Sequence, residues 1–252
     1  TGASSGIGME MAKIFAQNGI NLVLVARREN ILEKLKLELE EQYKIKVFNI
    51  IRDLSEVDSA NDIYDIVKLE NINIDFLINN AGFGNYGKFV ETDWLREHHM
   101  INLNITTLTY LTKLFLKDIV QNNSGRIMNV ASTAAFQPGP LMAVYYATKA
   151  YVMYLSEAIA DELKGTNVSV TTLCPGPTIS EFKETAALGT SGLFNRRSLP
   201  ESREVARFGY HAMMKGKRVV VHGFTNKLLA FFTKILPRKL VISSIHQLSK
   251  QK

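Results

Sequence analysis

Tyr145 and Lys149 stand four residues apart in this 252-residue chain, and Ser132 lies thirteen residues before the tyrosine. On a helix, an i, i+4 pair shares one face, so the ammonium can sit beside the phenol. A free tyrosine titrates at about 10, too high to exchange protons at neutral pH. A cation about 5 Å away, at an effective dielectric of about 20, contributes roughly 3 kcal/mol, or about two pKa units. These residue types at this spacing point to general acid–base chemistry, with Tyr145 giving and taking the proton.

A second group opens the chain. Thr1-Gly2-Ala3-Ser4-Ser5-Gly6-Ile7-Gly8 runs straight into a predicted helix, its glycines spaced G-x-x-x-G-x-G. Gly2, Gly6 and Gly8, with Ser4, Ser5 and Ile7 between them, make a turn whose backbone can approach a pyrophosphate. The free N–H groups of the following helix then meet its charge. Arg27-Arg28 stand at the end of a strand, where an acidic residue would accept the ribose 2′-hydroxyl of NAD. Guanidinium forks match phosphate geometry, so a 2′-phosphate is the better guest and NADP(H) the expected cofactor.

These groups need elements to position them. Strands are predicted at Asn21–Ala26, Lys46–Ile51, Asp75–Asn79, Arg126–Ala131, Asn167–Cys174 and Arg218–Val221. Helices are predicted at Ile7–Asn18, Asn30–Tyr43, Val57–Leu69, Trp94–Val120, Tyr145–Lys164 and Ser202–Met214. The alternation implies an α/β fold, a doubly wound parallel sheet with helices on both faces. Unbroken apolar runs such as Leu22-Val23-Leu24-Val25 suit strands covered on both sides. No linker or repeat interrupts residues 1–252, which read as one domain. The mixed stretch 178–200 is long for a connection and is expected to be a substrate lid. A helical tail is expected over 225–252. The glycine turn has no strand ahead of it, and a doubly wound fold feeds that turn from a strand, so apolar residues are expected before Thr1.

Together these motifs resemble the short, single-domain branch of the short-chain dehydrogenase/reductase family, NADP(H)-type, over Thr1 to about Gly223. The resemblance is carried by the turn at Thr1–Gly8, Asp53-Leu54, Asn79-Asn80-Ala81-Gly82, Ser132, Tyr145 with Lys149, and Pro175-Gly176. It implies a Rossmann-type fold and hydride transfer between a nicotinamide and a carbonyl or alcohol. It implies that Asp53 and Leu54 flank the adenine and that Asn80, Ala81 and Gly82 line the middle of the cofactor, with Asn80 bracing the sheet. Ser132 would hydrogen-bond the substrate oxygen, and Lys149 would lower the Tyr145 pKa and hold the nicotinamide ribose. Pro175, Gly176 and Thr178 would support the nicotinamide, and Ser180 stands where relatives commonly carry threonine. The family's helical asparagine falls on Asn102 or Asn104, with Asn104 favoured by its distance from Leu114-Phe115-Leu116.

The rest of the sequence narrows the classes. Lys and Arg outnumber Asp and Glu by 30 to 24, but the basic residues show no interleaved aromatic pattern, so nucleic acid is not an expected partner. Cys174 is the only cysteine, which excludes an internal disulfide and fits a reducing, cytoplasmic setting. His98-His99 lack a third ligand at metal spacing, so no metal is expected. No apolar run approaches the roughly 20 residues of a membrane span. The segment KLLAFFTKIL, Lys227–Leu236, reads either as a helix lying on a membrane surface, a peripheral contact over 227–242, or as one covering a sheet or subunit interface; the second is preferred. A homodimer or homotetramer is expected, by analogy with most soluble enzymes. Phe83, Phe136, Leu141 and Met142 are expected to shape an apolar pocket for a small-molecule carbonyl or alcohol. A catalytically silent NADP-binding redox sensor would keep the cofactor site but would not need Ser132, Tyr145 and Lys149 together. An epimerase or dehydratase would carry a larger C-terminal substrate domain.

Overall fold

Short runs rich in Val, Ile and Leu form the strands, and the amphipathic segments between them form helices that cover both sheet faces. The computed structural model of the chain describes residues 1–189, 192 and 199–250. In chain order the elements are α1 (Gly6–Gln17), β1 (Leu22–Ala26), α2 (Glu29–Tyr43), β2 (Val47–Ile51), α3 (Ser59–Leu69) and β3 (Phe76–Asn79). Then come α4 (Trp94–Ile101), a π-helix (Asn102–Thr107), α5 (Leu108–Gln121), β4 (Gly125–Val130), a 3₁₀ turn (Thr133–Phe136) and α6 (Ala143–Glu162). The chain continues through β5 (Val168–Cys174), α7 (Phe182–Thr185), α8 (Ser202–Met214), β6 (Val219–Val221), α9 (Phe224–Phe232) and α10 (Arg238–Ser249). Every predicted strand is present within a residue or so of its expected ends.

All strand pairs are parallel, in two ladders, β1-β2 and β3-β4-β5-β6. The glycine turn bridges them. The Thr1 amino group donates to Ile78 O at 2.8 Å, and Gly2 N donates to Val25 O at 2.9 Å. The first residues of the chain thus tie the two parallel ladders together by hydrogen bonds.

One face buries Met11 and Phe15 of α1 and Val205, Ala206, Tyr210 and Met213 of α8 against Met128, Val130 and Leu173. The other face packs Ile63 and Val67 of α3 and Leu111, Phe115 and Ile119 of α5 against Val25, Ile50, Leu77, Ile127 and Val170. Helices on both faces of a parallel sheet put ligands at the carboxyl ends of the strands, where the strand order reverses.

One expectation needs correction. The helix predicted at Trp94–Val120 is broken by the π-helix at Asn102–Thr107, a wider turn that periodicity alone does not reveal. Within the stretch 178–200 lies α7, and Ile179 bridges to Glu201. Residues 190, 191 and 193–198 of that expected lid lie outside the described residues. The tail over 225–252 is largely helical, as α9 and α10.

Buried polar side chains tie α5 and α6 to the sheet. Asn79 Nδ2 donates to Thr112 Oγ1 and to Asn129 Oδ1, each at 2.9 Å. Asn129 Nδ2 donates in turn to Ser156 Oγ at 2.9 Å, and Ser156 Oγ to Val152 O at 2.7 Å. Asn129→Ala strips one Asn79 N–H of its acceptor in a dry site and is expected to cost about 2 kcal/mol. Urea unfolding measures this, and a loss below about 0.5 kcal/mol would show that the network does not hold the layers together.

Candidate active site

Tyr145 and Lys149 occupy the first two turns of α6, facing the carboxyl ends of β4 and β5. The helix reaches this position through the 3₁₀ turn after β4, which Ser132 caps by accepting from Ala134 N at 3.1 Å. Thr133 N donates to Pro175 O at 2.8 Å, and Ser132 Oγ lies 3.5 Å from the same carbonyl, so the ends of β4 and β5 are pinned side by side.

The environment around the phenol is dry. Burial raises the Tyr145 pKa well above its ordinary value; the hydrogen bond with Ser132 pulls the other way, and Tyr146 adds to the rise. Phe182 of α7 stacks obliquely on the Tyr145 ring, with centroids 5.3 Å apart. Lys149 Nζ is 5.8 Å from the Tyr145 ring centroid. Both groups are buried, and desolvation disfavours the charged form of each.

Lys149 is 4% exposed, and burial lowers it to about 8, against a small opposing effect of Cys174. Its ammonium donates to Val130 O at 2.9 Å. Two of its three N–H groups have no protein acceptor among the described residues. Asn104 stands behind it, fully buried on the π-helix. Its Nδ2 donates to Phe83 O and Thr148 Oγ1, each at 3.0 Å, and its Oδ1 accepts from Phe83 N at 3.3 Å. Asn102 instead donates to Ser55 O, so of the two asparagines it is Asn104 that packs behind the site, against Phe83 and Thr148. A Cβ on Gly82 would lie 3.0 Å from Asn104 Oδ1 and 3.2 Å from Lys149 Nζ, a tight fit that would press on both side chains.

The glycine turn forms the opposite end of the site. Gly2 has φ +66°, and a Cβ on Gly8 would meet Gly2 O at 2.3 Å. Asn80 Nδ2 holds the turn by donating to Thr1 O at 3.0 Å, while Asn80 N and Ala81 N donate to Thr1 Oγ1. Arg27 reaches past the turn and donates from Nη1 to Asp53 Oδ2 at 3.1 Å, with its side chain 69% exposed. Burial would raise the Asp53 carboxyl, but hydrogen bonds from Ser55 and Arg27 hold it below its usual value. Arg28 is more committed. It donates to Ser4 through Nε and Nη2 and pairs with Glu181 at 2.9 Å.

A single cavity of about 670 Å³ connects these parts. Its lining includes Gly2, Ser4, Ser5, Gly6 and Ile7; Arg27, Arg28, Asp53 and Leu54; Asn80, Ala81 and Gly82; and Ser132, Tyr145 and Lys149. Pro175, Gly176, Thr178 and Ser180 complete that side. Of the residues selected as catalytic or cofactor-binding, Gly8 and Asn104 do not line it, and both pack directly behind residues that do. The apolar pocket is partly different from expectation. Phe83 and Met142 line it, but Phe136 packs into the cluster of Val152 and Met153, and Leu141 does not face the cavity. The sequence also did not point to the far wall, which α9 and α10 supply through Leu229, Phe232, Leu236, Leu240, Val241 and Leu248. Their apolar spacing was visible, but nothing in it said that they return over Tyr145.

The arrangement can bind an extended anionic ligand at one end and move a proton at the other. The short chain dehydrogenase family model matches residues 1–189. The very-long-chain 3-oxoacyl-CoA reductase of Anas platyrhynchos is 34% identical over 181 residues, which is 69% of this chain and 57% of that protein. The chain thus spans little more than half the length of that relative. The 7beta-hydroxysteroid dehydrogenase of Mediterraneibacter gnavus is 31% identical over 179 residues, 71% of this chain and 67% of its own. A solved short-chain dehydrogenase from Sphingobium yanoikuyae, in complex with NADPH, superposes with a TM-score of 0.83. It is 29% identical and covers 98% of this chain and 94% of its own. With its parallel sheet covered on both faces and a family match over three quarters of its length, this chain belongs to the short-chain dehydrogenase/reductase family of oxidoreductases.

Proposed function

We propose that this oxidoreductase uses NADP(H) to interconvert a carbonyl and an alcohol, with Tyr145 as the proton donor and acceptor. The observation that carries this is the meeting of Ser132, Tyr145 and Lys149 on one wall of a cavity that begins at the glycine turn. The names of two relatives, a 3-oxoacyl-CoA reductase and a hydroxysteroid dehydrogenase, belong to the same reaction class.

The residues present fit a nicotinamide dinucleotide. Gly2 and Gly8 leave the turn bare where side chains would collide, so backbone and helix N-terminus can approach a pyrophosphate. Asp53 and Leu54 would flank the adenine, and Asn80 to Gly82 the middle of the molecule. The buried Lys149 ammonium, with donors to spare, suits ribose hydroxyls. Pro175, Gly176, Thr178 and Ser180 lie where they would support the nicotinamide. When bound, such a cofactor supplies the hydride to the carbonyl carbon or takes it from the alcohol carbon.

The chain's own residues handle the oxygen and its proton. Ser132 donates to the substrate oxygen and fixes it within reach of Tyr145. In reduction the phenol gives its proton to that oxygen and becomes a phenolate; in oxidation it takes the proton back. Burial keeps the phenol protonated at neutral pH, the state that a donor to a carbonyl needs. Lys149 stabilises the phenolate as it forms, and Asn104 and Gly82 hold the backbone around it.

Arg27 carries the preference for NADP(H). It spends one nitrogen on Asp53 and keeps the rest of its fork open to solvent, whereas Arg28 is already engaged by Ser4 and Glu181.

Tyr145→Phe keeps the ring that packs on Phe182 but loses the proton. It is expected to retain NADPH binding and lose about 10² to 10⁴ in kcat, measured with a carbonyl panel followed by NADPH absorbance. Retention of more than about a tenth of the activity would assign the proton to another group. Arg27→Ala is expected to weaken NADPH roughly tenfold or more and to leave NADH nearly unchanged. Equal affinities of the unaltered protein for the two cofactors would end the NADP(H) assignment. The Lys149 charge is present below about pH 8 and lost above it. NADPH affinity should therefore fall as pH rises through that value, and Lys149→Arg should flatten the fall.

A further inference from the structure

Helix α9 and the turn that follows it are apolar on two sides. Leu229, Ala230, Phe232 and Leu236 line the cavity. Phe224, Leu228, Phe231 and Ile235 do not, and fall at i, i+4, i+7 and i+11, a spacing that places them along one stripe. Phe224 is 82% exposed, Phe231 57% and Ile235 63%. None of the four belongs to a buried core cluster of the described residues. Contiguous exposed apolar surface of this kind marks a contact with something else.

Charge identifies what that contact is. After Glu204 the chain has no Asp or Glu and ten Lys or Arg, against twenty basic and twenty-four acidic residues up to that point. The apolar stripe sits inside this segment. Lys227, Lys234, Arg238 and Lys239 border it, and no ion pair engages them among the described residues. A twofold contact between two copies would set this patch against itself and bring like charges together. An apolar stripe edged by unpaired cations instead matches an anionic lipid surface, where the side chains enter the acyl boundary and the cations meet headgroups. No helix among the described residues is long and apolar enough to cross a membrane.

We propose that α9 and the start of α10 dock this protein on the surface of an anionic lipid bilayer. Leu229, Phe232, Leu236 and Leu240 line the cavity and belong to the same segment, so what docks is also what walls the cavity. The docking does not rest on the reaction proposed above, and its test reads binding alone.

The full chain is sedimented with phosphatidylcholine vesicles, with and without about a third phosphatidylserine. Binding is expected only with phosphatidylserine present and should weaken as salt rises. Phe231→Asp with Ile235→Asp should abolish it. Lys234→Gln with Arg238→Gln and Lys239→Gln should weaken it roughly tenfold or more. These side chains lie outside the cavity or are exposed, and circular dichroism checks that each variant remains folded. The proposal is overturned if the unaltered protein stays in solution, if it binds both vesicle types equally, or if the aspartate pair binds as well as the unaltered chain. It is equally overturned if light scattering shows the aspartate pair splitting a dimer while no vesicle binding occurs, since a second copy then covers the face.

Discussion

Lys149 carries an ammonium that is 4% exposed and, among the described residues, pairs with no carboxylate and rests on a single carbonyl at the end of β4. Removing a charge from water is costly unless hydrogen bonds replace the lost solvation. Burial has accordingly drawn the group down to about 8. Much of the surrounding architecture bears on this one group. The end of β4 supplies the acceptor, Gly82 leaves the space in front of it, and Asn104 closes the space behind.

Positioning such a group requires that α6 cannot slide on the sheet. The buried chain from Asn79 through Asn129 to Ser156 couples β3, β4 and α6 by hydrogen bonds of fixed geometry. Apolar packing alone tolerates small shifts that such bonds do not. The π-helix serves the same end from the other side. Its extra width turns Asn104 towards Phe83 and Thr148, whereas Asn102 is left to bond Ser55.

The two ends of the cavity obey different physics. At the glycine turn the backbone is exposed to an incoming anion, and the nearby guanidiniums are partly solvated, so contacts there depend on salt. Around Tyr145 the walls are apolar and dry, which raises the phenol and strengthens every charge interaction inside. Helices α9 and α10 complete that dry end with one side of their apolar surface and leave the other side outward. A segment that roofs a site and faces outward with apolar residues links access to the site with whatever that outer face touches.

Local chemistry was legible from the chain alone. Glycine spacing, strand-end arginines and an i, i+4 tyrosine–lysine pair each impose short-range geometry, so the turn, the cofactor end and the α6 pair were placed by number. Apolar periodicity located all six strands described and most helices. What periodicity could not show was a change of helical pitch, since one wider turn leaves the apolar pattern almost intact; the break at Asn102–Thr107 needed the fold. Long-range return was equally hidden. No residue type in 224–248 announces that it will pack over Tyr145, more than 70 positions earlier, and only the assembled layers put it there. The sign of the Tyr145 pKa was also a tertiary matter. Spacing supplied the cation, but the burial that raises the phenol comes from neighbours such as Phe182, which meet it only in three dimensions.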